Sequence, residues 1–153
     1  MERISENIIS LERATPADIE KYIAIERKVV SKTYSALLTE KEIMEEMAKG
    51  PVYMIKKDNV IVGTASYYMK ADGSAYISGL VVDPAYQGQG ISRQAMVKVL
   101  AELKDIPVVT LVTHPDNTRA VSLYKSLGFE VTGRIENFFG DGEPRIELTL
   151  NHV

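Results

Sequence analysis

The sequence predicts a mixed α/β fold, a central sheet flanked by about four helices. Two observations carry that expectation. Hydrophobic residues alternate between a period of two and a period of about 3.6, in the order β-α-α-β-β-β-α-β-α-β-β, which is not a regular βαβ repeat. The 153 residues, 45% hydrophobic and 25% charged, are also enough for one ordinary domain with a core of its own. No repeat, low-complexity tract or linker-like stretch divides residues 1–153, so a single domain is expected.

The first strand is expected over Ile8–Ala14. Thr15 as N-cap and Pro16 at the first helical position then open a helix. Its apolar stripe is expected to be Ile19, Tyr22, Ile23, Val29 and Val30. Thr39-Glu40-Lys41-Glu42 reads as a capping box that starts a second helix, and Gly50-Pro51 stops it. Val52–Lys57 and Val60–Tyr68 flank the turn pair Asp58-Asn59 and predict a hairpin. A turn at Asp72-Gly73 leads into a strand over Ala75–Val82. After Gly88-Gln89-Gly90 the helical period returns, with Ala95, Met96, Val99, Leu100 and Leu103 on one face. Val108–Val112 is a buried strand and Asn117–Leu127 a helix ended by Gly128. Strands around Glu130–Phe138 and Arg145–Leu150 close the chain, the latter alternating Ile146, Leu148 and Leu150.

Composition removes several classes of function. With no cysteine there is no disulfide scaffold, thiolate nucleophile, iron–sulfur cluster or Cys-ligated zinc. His114 and His152 are the two histidines, too few for a His-rich metal centre, and no metal is expected. A net charge of −3 gives no electrostatic footprint for nucleic acid. The opening residues MERISENIISLERA lack a basic start followed by an apolar block, so no signal peptide is expected. No apolar run approaches the roughly 20 residues of a membrane span. The expectation is a cytoplasmic protein, monomeric or homodimeric, with neither nucleic acid nor membrane as partner.

Two stretches carry chemistry. In Leu80-Val81-Val82-Asp83-Pro84-Ala85-Tyr86-Gln87-Gly88-Gln89-Gly90-Ile91-Ser92-Arg93, a strand enters a glycine-bearing turn and a helix begins at once. Glycines let backbone N–H groups approach an anion, and the positive end of the following helix completes a phosphate cradle. A lone G-x-G is more often a plain strand–helix turn that binds nothing. Other phosphate loops do not fit: G-x-x-x-x-G-K-[ST] is absent, and Gly88-Gln-Gly90-Ile-Ser-Arg93 lacks the third glycine of the dinucleotide motif. The second stretch, Asn117 to Phe129, sets Asn117, Ala120, Tyr124 and Leu127 along one helix face.

Together the stretches resemble a known family. Gln87-x-x-Gly90-x-Ser92 resembles the acyl-CoA pyrophosphate loop, Q/R-x-x-G-x-G/A, of the GNAT-type N-acetyltransferases. Asn117-x-x-Ala120-x-x-x-Tyr124-x-x-x-Gly128-Phe129 is similar to the second cofactor motif of that family. Ser92 stands where the family has Gly or Ala. The resemblance implies a mostly antiparallel central sheet splayed between two strands, with acetyl-CoA as co-substrate. It implies that the backbone amides of Gln87, Gly88, Gln89, Gly90, Ile91 and Ser92, with Arg93 beside them, hold the pyrophosphate. Leu80 and Val82 would bond the pantetheine arm through their backbones, and Asn117 would touch the cofactor arm. Tyr124 would protonate the departing thiolate, a role that suits a phenol of ordinary pKa near 10.

The implied reaction is direct acetyl transfer to a primary amine of a small molecule or peptide. Variants of that reading are a protein N-terminal α-amine acetyltransferase and a degenerate acyl-CoA-binding or sensing domain. The amine must lose a proton, at a cost of about 4–5 kcal/mol for a lysine at neutral pH and about 1 kcal/mol for an α-amine. The family's ribosomal-protein N-terminal acetyltransferases carry a glutamate five residues before the asparagine, where this chain has Val112. Three substitutes remain open: Glu26 within the apolar stripe of the first helix, His114 just past the strand, and water relayed by backbone carbonyls or Tyr76. The loop Ser31–Leu38 and the hairpin around Gly140-Asp141-Gly142-Glu143 are expected to border the acceptor, with Asp141 and Glu143 available to attract a cation.

Overall fold

The computed structural model describes residues 8–152. Strand β1 (Ile9–Arg13) is followed by a 3-10 turn at Pro16–Asp18 and helices α1 (Ile19–Val29) and α2 (Glu40–Lys49). Strands β2 (Val52–Lys57), β3 (Val60–Met69) and β4 (Ala75–Val82) precede helix α3 (Ile91–Glu102). Strand β5 (Val108–Thr113), helix α4 (Thr118–Ser126) and strands β6 (Glu130–Ile135) and β7 (Arg145–Asn151) complete it. All seven strands form one sheet in the order β1-β2-β3-β4-β5-β7-β6. Only β4 and β5 run parallel, so the sheet is mostly antiparallel.

Local chemistry accounts for the element ends. The Thr39 hydroxyl accepts from the Glu42 amide and the Glu42 carboxylate accepts from the Thr39 amide, both at 3.2 Å, which closes the capping box of α2. Asp58 and Asn59 adopt φ of 52° and 67°, the left-handed pair that matches the twist of the β2–β3 hairpin. Two expectations are corrected. The buried stripe of α1 is Ile19, Tyr22, Ile25 and Glu26, because the chain enters through a tight 3-10 turn; Val30 lies beyond the helix and is 51% exposed. Strand β6 ends at Ile135 rather than Phe138, since Asn137 turns to φ 53° and starts the hairpin loop.

The two sheet faces differ. On one, Val52 and Met54 of β2 pack with Ile19, Tyr22 and Ile43 of α1 and α2. On the other, Ile55, Ala65, Ile77, Val109, Leu111 and Leu148 pack with Ile91, Ala95, Met96 and Val99 of α3 and with Tyr124 of α4. The parallel pairing is short: only Ala75↔Val109 and Tyr76↔Thr110 join β4 to β5. Beyond Tyr76 the strands part. Among the described residues, no helix is long and apolar enough to cross a membrane.

Gly63 keeps β3 close against β4, since a Cβ there would lie 2.2 Å from the Val81 carbonyl oxygen. Gly63→Ala is expected to cost ~2 kcal/mol and to lower Tm by roughly 4–8 °C in a thermal melt.

Candidate active site

Strand β4 ends in a short turn anchored by Asp83. Its carboxylate accepts from the Ala85 amide at 3.0 Å and from Lys28 Nζ at 2.9 Å, and these contacts hold it below the ordinary carboxylate range. Lys28 belongs to the last turn of α1, so the pair fixes that helix against the turn. The Gln87 amide bonds the Pro84 carbonyl at 3.4 Å, and its side-chain amide donates to the Val82 carbonyl at 3.3 Å. Of the amides expected to hold the pyrophosphate, that of Gln87 thus has a long contact within the chain.

The run of unpartnered amides begins one residue later. Gly90, at φ 77°, is the N-cap of α3, and a Cβ on it would meet nothing within 4 Å; the left-handed turn, not crowding, calls for glycine there. The first amide of α3 to find a backbone acceptor is that of Gln94, bonded to Gly90 O at 3.1 Å. Among the described residues, the amides of Gly88, Gln89, Gly90, Ile91, Ser92 and Arg93 have no partner in the chain. They sit at the positive end of a 12-residue helix, where an anion is favoured. The Arg93 guanidinium donates to the Ser126 hydroxyl of α4, and Arg119 lies on the same wall.

The slit between β4 and β5 leads inward from that cradle. In an antiparallel ladder alternate residues turn their backbone groups to the partner strand. Asp83 bonds Val62 of β3 at 2.8 Å, so Val81 and Gly79 also face β3, whereas Leu80 and Val82 present theirs to the slit. One cleft of about 1030 Å³ reaches from Gly88 and Ser92 past Leu80, Val112 and Tyr124 to Tyr34 and Phe139.

Tyr124 lies on α4, edge-on to Phe129 at 6.0 Å between ring centroids. Its ring is buried, and burial pushes the phenol up to about 12, so it carries its proton at neutral pH. Its hydroxyl bonds nothing else among the described residues and its side chain borders the cleft. Asn117 caps α4 by accepting from the Ala120 amide at 3.3 Å, which orients the helix bearing Tyr124.

The candidate bases are placed differently. Glu26 is wholly buried under the α1–α2 loop and is not on the cleft wall. Its oxygens accept from the Tyr34 hydroxyl at 3.1 and 3.0 Å and from the Leu37 amide at 2.9 Å, and burial pushes it up to about 7. His114 is 2% exposed and also off the wall, neither capping a helix nor facing solvent. Its Nδ1 accepts from the Asp116 amide at 3.0 Å, so Nε2 carries the proton and donates to Glu143 at 2.7 Å. Both ring nitrogens are engaged. Asp141 is bonded by Arg145 at 3.1 Å, so the hairpin acids Asp141 and Glu143 serve internal partners. Tyr76 does border the cleft, with its hydroxyl raised by burial and by the nearby charges of Tyr68, Glu46 and Glu147. Glu46 and Ser78, which no sequence motif marks, also border it. The signal available for Glu46 was its place three residues after the buried Ile43 on α2.

Residues 19–129 match the Acetyltransferase (GNAT) family. The peptidyl-lysine N-acetyltransferase YjaB of Salmonella typhimurium is 30% identical over 136 residues, 84% of this chain and 88% of that protein. Among solved structures, Ard1 from Thermoplasma volcanium superposes with a TM-score of 0.81 at 20% identity, over 95% of this chain and 98% of that one. A GNAT family acetyltransferase from Elizabethkingia anophelis with acetyl-CoA bound gives 0.74 at 22%, over 94% and 97%.

The Glu26 carboxyl sets a pH dependence of stability. With a folded pKa of about 7 against 4.5, the folded state keeps a proton that the unfolded chain has released between those values. Stability therefore falls as pH rises through that window, by ~3 kcal/mol. Glu26→Gln is expected to flatten this slope, measured by urea unfolding at about pH 5 and about pH 8.

Proposed function

The chain belongs to the GNAT acetyltransferase family, an N-acetyltransferase with acetyl-CoA as co-substrate, and from that premise we propose direct acetyl transfer to a primary amine. The single observation that carries this reading is the continuity of six unpartnered amides, an opened strand pair and a protonated buried tyrosine along one cleft. The amides of Gly88 to Arg93 suit a pyrophosphate, and Leu80 and Val82 suit the amide-bearing arm of pantetheine through their backbone groups. Acetyl-CoA, when bound, supplies an activated thioester carbonyl.

The residues of the chain do the rest. The cradle and slit hold the reacting carbon in register, so much of the acceleration comes from positioning. Tyr124 Oη donates its proton to the departing sulfur, which leaves as thiol. Glu26 acts through Tyr34 and Leu37, holding the α1–α2 loop over the acceptor side rather than meeting the amine. His114 and Arg145 do the same for the β6–β7 hairpin. A relative described as a peptidyl-lysine acetyltransferase supports an amine of the lysine kind.

Tyr124→Phe is expected to lower kcat on the order of 10²- to 10⁴-fold while leaving acetyl-CoA affinity nearly unchanged. Thiol release across small amines, lysine peptides and peptides with free N-termini, beside calorimetric acetyl-CoA titration, checks it. Turnover confined to free N-termini would make the chain an α-amine enzyme. Tight binding without amine-dependent turnover would make it a sensing domain.

A further inference from the structure

On the α1–α2 side of the sheet, polar groups gather where a core is expected. Thr64 and Ser66 of β3 face this side, because they stand directly across from Met54 and Val52, and both are buried. Ser78 is the bulged residue of β4: Ser66 pairs with Gly79 and Tyr67 with Ile77, so Ser78 has no partner across the ladder. It follows Tyr76, the last residue paired to β5, by two positions and so stands at the point where the strands part.

The Ser78 hydroxyl lies 2.9 Å from Ser66 Oγ and donates to Glu46 Oε2 at 2.5 Å. Glu46 thus reaches from α2 to the apex of the slit, with its side chain only 12% exposed. Its other oxygen has a loose partner, Lys49 Nζ at 3.8 Å, on a half-exposed side chain that also leans over the Tyr68 ring at 5.2 Å. The Tyr68 and Tyr76 ring centroids lie 5.3 Å apart, and Tyr22 approaches from α1, its phenol raised first by burial and then by the charges of Glu26 and Glu46. A carboxylate flanked by aromatic rings, with one oxygen anchored and one weakly held, suits a primary ammonium on an aliphatic stem. The other carboxylates nearby are committed: Glu42, also on the cleft wall, to Leu38 and Thr39, Glu26 to Tyr34 and Leu37, and Glu147, across from Val112, to the Thr132 hydroxyl at 2.9 Å.

We propose that Glu46, fixed by the bulged Ser78, is the catalytic carboxylate of the acceptor subsite and takes a primary alkylammonium in place of Lys49. The balance is complete. The bound ammonium first gives one proton through Glu46 to solvent, which frees the nitrogen lone pair. The neutral amine then forms the C–N bond as the thioester C–S bond breaks and Tyr124 protonates the sulfur. The second nitrogen proton passes to Glu46 and, by way of solvent, restores the Tyr124 phenol.

The proposal rests on the acyl-transfer reading, and its test separates the two. The full chain is assayed with acetyl-CoA and either Nα-acetyl-lysine amide, a cationic alkylamine, or benzhydrazide, which is uncharged at neutral pH. Glu46→Gln is expected to lower kcat/KM for the lysine amide on the order of 100-fold, and for benzhydrazide by less than about 10-fold. Its acetyl-CoA Kd stays within about threefold of wild type, and n-hexylamine with CoA raises the Tm of wild type but not of the variant. Glu45→Gln, which removes an exposed charge from the same helix, behaves as wild type. Equal losses on both amines, a lysine-amide loss below about threefold, or equal stabilisation of both proteins by hexylamine overturns the proposal. A wild type that binds acetyl-CoA and acetylates neither amine overturns the acyl-transfer reading and this proposal with it.

Discussion

Two strands that stop bonding are the constraint from which the rest of the molecule follows. A buried backbone N–H or C=O without a partner is costly, and a sheet normally leaves none. Here β4 and β5 share two paired positions and then separate, so the backbone groups of Leu80 and the N–H of Val82 open onto a gap inside the fold, while Gln87 covers the Val82 carbonyl. Six amides leading into α3 stand beside it without a partner among the described residues. The fold can keep these groups exposed because the surrounding structure is otherwise tied. Asp83 binds Lys28, Gln87 turns back onto Pro84 and Val82, and Arg93 reaches Ser126.

The same separation divides labour between the two sheet faces. The face under α3 and α4 is apolar and holds the ring of Tyr124 dry, which keeps its phenol protonated. The face under α1 and α2 mixes Ile19, Ile43 and Met54 with buried threonine, serine and glutamate. Burying such groups costs stability unless each is bonded, and most are. The exception among the described residues is the Thr110 hydroxyl, buried without a partner on the last rung before the gap.

Much of this was legible in the sequence because it is local. Turn pairs, capping residues and the change of period located nearly every element, and the two motif stretches from Gln87 and Asn117 contain the unpartnered amides and the helix that carries Tyr124. What escaped depends on distant contacts. Glu46 lies in a helix with four glutamates, EKEIMEEMAK, and only the approach of β4 distinguishes it from its exposed neighbours. Glu26 was visible as an acid in an apolar stripe, but not that Tyr34 and Leu37 would enclose it. His114 had a suitable residue type; its use depends on Asp116 and Glu143, the latter 29 residues on. Gln87 matched the motif letter by letter, while the contact of its amide with Pro84 and of its side chain with Val82 emerges only from the turn.

The β6–β7 hairpin has a consequence of another kind. Its tip is attached by two side-chain pairs, His114 with Glu143 and Arg145 with Asp141, both at its base, while Phe138 and Phe139 project from it half exposed. Of residues 136–140, Phe138 and Phe139 line the cleft, whereas the unpartnered amides and the opened strand pair are built from other elements. Such a tip can be exchanged in a lineage while the machinery beneath stays constant, so one scaffold can diversify its clientele by rewriting a few exposed letters.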